Sequence, residues 1–243
     1  MADPMTDLPG PPAPEVHHDH RDVSGGWLRP TVFGMMDGLV SNFALIAGVA
    51  GASADTKQIS LAGLAGLVGG AFSMAAGEYV SVTSQNEAAY AELAVERREL
   101  EYNAEAELAE LAEMYVARGV ERELAEQVAR QLSHDPDQAL LIHAQEELGV
   151  DPNQLPSPWT AALSSLGSFS LGAVIPLLPY LFGAKQIVIS AVLAVLALFL
   201  AGALASQVTN RSWLYSGTRQ LALGILAAAV TFGVGALFHA SVG

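Results

Sequence analysis

Five long apolar stretches constrain this chain more than any other feature of its sequence. A helix needs about 20 mainly apolar residues to cross the hydrocarbon core of a bilayer. Residues 31–54, 59–82, 159–182, 186–208 and 220–240 meet that requirement. The first stretch follows a proline-containing polar segment that lacks the basic start of a signal peptide, so we expect it to be retained. The sequence therefore predicts an all-α membrane protein with five transmembrane helices.

The composition excludes several other classes of protein. Charged residues make up 15% of the chain and its mean hydropathy is +0.36, whereas soluble domains have about 25% charged residues. The absence of cysteine excludes disulfide scaffolds and thiolate metal sites. With a formal charge of −14 the chain has no basic surface for nucleic acid. It also lacks the nucleotide-binding and hydrolase motifs, so we do not expect an enzyme or an ATP-driven pump.

The arginines and lysines predict the orientation of the spans. With the N-terminus inside, the inner segments contain nine arginines and the outer segments contain only Lys57 and Lys185. Positive residues favour the cytoplasmic side, so the N-terminus is expected inside and the C-terminus outside. Trp27, Trp159 and Trp213 then lie at the cytoplasmic interface, where indole rings are common.

The spans divide the chain into four predicted parts. Residues 1–26 form a disordered acidic tail, and 27–88 hold the first two transmembrane helices. Residues 89–157 form a cytoplasmic helical domain, and 158–243 hold the last three transmembrane helices. The tail contains His17, His18 and His20, which either scavenge metal or are simply solvated.

The acidic insert (residues 89–157) differs from the spans in composition. It holds 16 acidic residues and five arginines, and its apolar residues recur three and four positions apart. That period predicts amphipathic helices. We expect its first helix to continue directly from the second span and to bend near Asn103. Gly119 and Gly149 then end helices, and Asp135 caps another.

Glutamates of the insert recur at spacings that place them on one helix face. Like charges so placed repel each other, and a divalent cation would offset that cost. Oxygen-rich sites suit Mn²⁺ and related metals. The candidate ligands are Glu96, Glu99, Glu107, Glu110, His143 and Glu147. Because charge runs are usually solvated, spacing alone fits an ordinary acidic surface as well as a metal site.

The membrane spans contain polar residues that call for an explanation. Asp37 lies within the first span and Glu78 near the inner end of the second, and a carboxylate inside a bilayer is costly and usually functional. Met74 precedes Glu78 by one helical turn, and its thioether is a soft ligand suited to a borderline metal such as Fe²⁺. Asp37 as a packing residue, Glu78 as an interfacial residue and Met74 as a core residue are the alternatives.

Two glycine pairs predict close helix contacts in the membrane. Gly34 and Gly38 form one GxxxG pair, and Gly66 and Gly70 form the other. Small residues at this spacing let helix backbones approach each other. The pairs fit packing within one chain, with a dimer seam as the alternative. Pro176 and Pro179 are expected to kink the third span.

The motifs FGMMDGLVSN (residues 33–42) and SMAAGEYVS (residues 73–81) resemble the first two helices of the vacuolar iron transporter family. The acidic insert with its paired glutamates lies in the matching place, and the resemblance covers nearly the whole chain. It implies a five-helix homodimer that moves Fe²⁺, and often Mn²⁺, out of the cytosol in exchange for protons. It also implies a pathway through Asp37 and Met74 with Glu78 nearby.

The resemblance further implies that Glu96, Glu99, Glu107, Glu110 and Glu147 collect metal in the insert, with Co²⁺ and Zn²⁺ as further possible ions. Plant members have a methionine near the last glutamate where this chain has His143, and imidazole titrates near neutral pH, which predicts pH-sensitive loading. The Ala/Gly-rich, cysteine-free chain reads as bacterial, so the expected location is the plasma membrane.

Two other classes of function compete with transport. A membrane-anchored di-iron oxidase would use Glu-x-x-His pairs, and the insert contains none. A membrane scaffold whose acidic bundle only binds metal or a partner would leave Asp37 unexplained.

Overall fold

A computed structural model describes residues 26–52, 55–209 and 211–242 of the chain. The described residues form eight α-helices, and the predicted histidine tail lies outside them. The helices are α1 (Leu28–Ala52), α2 (Thr56–Tyr102), α3 (Ala104–Ala117), α4 (Arg122–Leu132), α5 (Pro136–Glu146), α6 (Pro158–Leu181), α7 (Ile187–Thr209) and α8 (Trp213–Val242).

Five of these helices, α1, α2, α6, α7 and α8, are long and apolar enough to cross a membrane. The predicted all-α fold with five membrane helices is therefore confirmed. Four of these five helices begin before the apolar run that predicted them, and at α2 and α6 a polar side chain caps the first turn. At α6, for example, the Ser157 side chain accepts a hydrogen bond from the backbone N–H of Thr160.

Helix α1 is the centre of the membrane part, since it packs against α2, α6, α7 and α8. Leu39 and Phe43 of α1 are buried against Ala194 and Leu198 of α7. The prediction that Gly34 and Gly38 pack against another helix of the same chain is confirmed. A Cβ at Gly38 would overlap the Phe169 carbonyl oxygen of α6, so only glycine permits this approach.

Helix α2 is a single uninterrupted helix of 47 residues. At a rise of 1.5 Å per residue it is about 70 Å long, more than twice the thickness of a hydrocarbon core. Its C-terminal half therefore projects from the membrane part. The domain boundary proposed between residues 88 and 89 falls inside this helix.

Aromatic and polar contacts tie α2 to the segment that leads into α6. The rings of Tyr79 and Trp159 pack with centroids 4.9 Å apart. The Asn86 side chain donates a hydrogen bond of 3.0 Å to the Pro156 carbonyl. These contacts hold the projecting half of α2, which we call the stalk, near the point where it leaves the membrane part. Helix α6 itself continues through Pro176 and Pro179.

The insert folds into α3, α4 and α5 against the projecting end of α2. Leu111 and Ala112 of α3 pack on Ala125 and Ala129 of α4. The predicted ends are confirmed: Gly119 and Gly149 have positive φ after α3 and α5, and Asp135 accepts hydrogen bonds from backbone N–H groups of α5. The glutamate stripe is not on one continuous helix, however, because the chain leaves helical geometry at Asn103.

Candidate membrane cavity and acidic metal site

A cavity of about 330 Å³ lies between α1 and α2 in the membrane part. It combines carboxylate, thioether, hydroxyl and carboxamide groups on an otherwise apolar wall. The lining residues are Phe33, Asp37, Ser41, Asn42 and Leu45 of α1, Gly66, Gly70, Ser73 and Met74 of α2, and Phe169 of α6.

The cavity brings together two of the three residues predicted for the membrane. Asp37 and Met74 both line it, although they come from different helices. Both side chains are half-buried within one chain. Glu78 lies four residues after Met74 on α2 but is not among the lining residues. A carboxylate and a thioether in one cavity offer the mixed hard and soft ligands that a borderline metal accepts.

Asn42 also lines this cavity, and reasoning from the sequence did not single it out. It is buried, and its Nδ2 donates a hydrogen bond of 2.6 Å to the Ala173 carbonyl of α6. Its Oδ1 has no hydrogen-bond partner. The signal in the sequence was a carboxamide inside an apolar span, five positions after Asp37.

The second site lies outside the membrane part, where α5 packs against the projecting end of α2. Glu96, Glu107 and His143 are buried there, on α2, α3 and α5. The His143 Nδ1 atom is 2.9 Å from Glu96 Oε1 and 3.5 Å from Glu107 Oε2. Three separate helices therefore bring their acidic and imidazole groups to one point.

Glu147, which follows α5, completes a group that could hold a metal ion. One ligand atom each from Glu96, His143 and Glu147 lies within 4.8 Å of the others. Glu147 is exposed, whereas the other two side chains are buried. An ion could therefore enter from the Glu147 side and meet the buried ligands behind it.

Glu99 and Glu110 lie at the margin of this site. Glu110 is exposed and Glu99 is half-buried, and the Asn103 side chain donates a hydrogen bond to Glu99. The charge of Glu110 raises the pKa of both Glu96 and Glu107. All six predicted residues of the insert thus belong to one neighbourhood, but only three of them are buried in it.

Burial controls the protonation of the site. Desolvation, followed by the charges of Glu147, Glu107 and Glu110, raises the pKa of Glu96 to about 7. Desolvation and neighbouring carboxylates also raise the pKa of Glu107. Desolvation lowers the pKa of His143, although Glu147 and Glu110 oppose that effect. The group that titrates near neutrality is therefore Glu96, rather than His143 as the sequence suggested.

Three of the five arginines of the insert form ion pairs with acids outside the site. Arg118 pairs with Glu146, Arg122 with Glu113 and Arg130 with Glu126. In the described part of the chain, these ion pairs leave the carboxylates of Glu96, Glu107 and Glu147 without an arginine partner. Two buried carboxylates and one exposed carboxylate that are not neutralised by arginine can accept a cation of the oxygen-preferring type.

Comparison with known proteins places the chain in a family. The VIT family profile matches residues 28–236. A vacuolar iron transporter of Acanthamoeba castellanii is 40% identical over 225 residues, covering 90% of this chain and 82% of that protein. A vacuolar iron transporter of Centaurea cyanus is 33% identical, covering 90% of each chain. Vacuolar iron transporter 1 of Arabidopsis thaliana is 32% identical, covering 89% of this chain and 88% of its own. The chain belongs to the VIT family.

Proposed function

We propose that this protein transports Fe²⁺ across a membrane in exchange for protons, with Mn²⁺ as a second substrate. The observation that carries the proposal is the pairing of Asp37 and Met74 in one cavity between two membrane helices. The names of the relatives support iron as the cargo. The protein would serve metal homeostasis and detoxification, and we do not expect it to be an enzyme.

Asp37 supplies a simple basis for exchange. A carboxylate binds either a proton or a divalent cation, so the two compete for the same oxygens. Arrival of a proton from one side therefore releases the metal, and loss of the proton prepares the site for the next ion. The Met74 thioether adds a ligand that Fe²⁺ accepts and that Mg²⁺ and Ca²⁺ do not prefer.

The acidic insert collects metal in this proposal. The buried carboxylates of Glu96 and Glu107, with neutral His143 and the exposed Glu147, offer oxygen and nitrogen ligands to Fe²⁺ and Mn²⁺, and to Co²⁺ and Zn²⁺. Glu99 and Glu110 attract cations to the margin, and Glu78 lies between the insert and the cavity as a further station.

Orientation and assembly complete the proposal. The insert and the N-terminus face the cytosol and the C-terminus lies outside, as the nine-to-two distribution of basic residues indicates. A homodimer in the lipid bilayer is proposed because Asp37, half-exposed within one chain, needs cover from lipid. The plasma membrane of a bacterium stays a prediction, since the relatives are eukaryotic and named for the vacuole.

A flux measurement tests the proposal. Purified protein in liposomes, with an imposed pH gradient, is supplied with Fe²⁺, Mn²⁺, Co²⁺ or Zn²⁺ in turn. We expect Fe²⁺ and Mn²⁺ to move, with protons moving in the opposite direction. Protein that binds metal but moves none would instead be a metal-binding scaffold. Oxygen consumption on addition of Fe²⁺ without flux would identify a membrane-anchored di-iron oxidase.

A further inference from the structure

The Asn42 carboxamide has a fixed orientation at the wall of the membrane cavity. Its Nδ2 donates to the Ala173 carbonyl of α6 at 2.6 Å, and this bond identifies the nitrogen end of the amide. The opposite end, Oδ1, faces α2: a Cβ placed on Gly66 would lie 2.8 Å from it. The amide therefore presents an oxygen, and not a hydrogen-bond donor, on the side where α2 lies.

That oxygen has no hydrogen-bond partner although the side chain is 2% exposed. A buried carbonyl oxygen without a partner is unfavourable, so such atoms are normally hydrogen-bonded. The nearest hydroxyl along the helix does not satisfy it, because Ser41 Oγ donates to the Asp37 carbonyl. Gly66, which has no side chain, lets α2 pack close to Oδ1 without offering it a side-chain hydrogen-bond donor. A buried oxygen without a hydrogen-bond donor is suited to binding a cation.

We propose that Asn42 Oδ1 is a ligand for the transported divalent cation, acting in the same cavity as Asp37 and Met74. The inference rests on the proposed transport function and adds to it a neutral oxygen ligand. A carboxamide oxygen is a hard ligand that adds no negative charge, so Asp37 remains the one carboxylate of the cavity and the place where protons compete. Asn42 thus contributes to metal affinity and metal preference, and Asp37 to exchange.

Two variants separate ligation from packing. Asn42→Leu removes the oxygen while keeping a side chain that branches at the same atom, and Asn42→Cys replaces the oxygen with sulfur in a chain that has no other cysteine. Thr231→Val is the matched control, because Thr231 Oγ1 donates a comparable inter-helix hydrogen bond of 2.7 Å to the Ala44 carbonyl. Thr231 does not line the cavity.

Flux through liposomes containing each full-length variant gives the first readout. We expect Asn42→Leu to raise the KM for Fe²⁺ by at least about tenfold, because removal of a group that only supports a metal ligand already costs about that much affinity. Thr231→Val should keep the parent KM. We expect Asn42→Cys to move Cd²⁺ more readily, relative to Mn²⁺, than the parent does, because thiolate prefers soft ions. A purely structural role would lower all fluxes and leave that ratio unchanged, which would overturn the proposal.

Thiol labelling gives a readout that does not depend on transport. In detergent-solubilised Asn42→Cys, Cd²⁺ should slow the reaction of the thiol with a small maleimide, and Mg²⁺ should not. Equal labelling with and without Cd²⁺ would overturn the ligand role even if Asn42→Leu fails to accumulate. A parent protein that moves no Fe²⁺ would refute the proposed function instead, and labelling would still decide whether position 42 binds a cation.

Discussion

His143 Nδ1 on α5 and Glu96 Oε1 on α2 lie 2.9 Å apart, yet neither atom makes a hydrogen bond. The distance would allow one, so the two atoms are close without being aligned as donor and acceptor. The second ring nitrogen of His143, Nε2, also lacks a partner. Since burial lowers the pKa of His143, the ring is neutral and can offer a lone pair beside a carboxylate oxygen. Lone pairs brought together in this way suit a metal ion.

Removal of the membrane carboxylate is the first test. Asp37→Asn keeps the size and the hydrogen-bonding capacity of the side chain but cannot exchange a metal ion for a proton. We expect normal expression with Fe²⁺ flux reduced to background, while Asp37→Glu retains part of the flux. Flux of Asp37→Asn near the parent rate under a pH gradient would make Asp37 a packing residue and refute the exchange mechanism.

Neutralising one buried glutamate of the insert should weaken metal binding. We expect Glu107→Gln to raise the Kd for Mn²⁺ by about tenfold in calorimetry of the solubilised protein, because it removes a buried ligand beside His143. Glu105→Gln is the matched control: Glu105 is an exposed acid on the same helix, two positions away. Flux should fall less than affinity, because the insert collects metal and the cavity moves it. Equal affinities for the two variants would count against the site.

Metal binding at the insert should release a proton below neutral pH. Glu96, with a pKa of about 7, holds its proton at pH 6 and must lose it to bind a cation. We expect the apparent Kd for Mn²⁺ to rise by about tenfold per pH unit below 7 and to level off above it. His143 adds little in this range because its pKa is lowered. Calorimetry in buffers of different ionisation enthalpy counts the released protons; Glu96→Gln should lower that count, and Glu107, whose pKa is also raised, supplies the remainder.

The raised pKa of Glu96 also predicts how the stability of the metal-free protein depends on pH. Glu96 has a pKa of about 7 in the fold and 4.5 in its ordinary state. Between these values the folded chain keeps a proton that the unfolded chain has lost, so stability falls as pH rises from 4.5 to 7. Glu107 acts in the same direction, and His143 acts in the opposite one. We expect the Tm of Glu96→Gln to fall less over this range than those of the parent and Glu105→Gln. Parallel Tm profiles would contradict the burial effect.

The orientation of the chain is open to a direct test. A tag after Gly243 should be accessible from outside intact cells, and a tag before Asp22 only after permeabilisation. The reason is the excess of arginine in the segments assigned to the cytoplasm. Accessibility of both tags from one side would mean an even number of spans and would refute the orientation.

The sequence predicted those features that depend on neighbours along the chain. No glycine or proline interrupts residues 78–102, so the sequence predicted that α2 continues as one helix through this segment. It also predicted the break at Asn103. The meeting of Asp37 with Met74 could not be worked out from spacing, because it depends on how α1 and α2 pack. It came from the family resemblance instead.

The spacing of the glutamates along the sequence could not predict which of them are buried. Periodicity placed Glu96, Glu99 and Glu107 on one stripe, but the break at Asn103 reorients α3 relative to α2. Glu96 and Glu107 are buried as a result, whereas Glu99 is only half-buried. His143 was expected to titrate near neutrality, but its burial lowers its pKa, whereas desolvation and neighbouring carboxylates raise the pKa of Glu96 to about 7.

The continuity of α2 sets a fixed spacing between the acidic site and the membrane cavity. Glu96 and Met74 lie on this one helix, 22 positions and about 33 Å apart. That is too far for an ion to pass directly between two sets of ligands, so it must diffuse. The continuous helix is therefore a spacer: occupation of the acidic site and occupation of the cavity are separate binding events, joined only by diffusion of the ion.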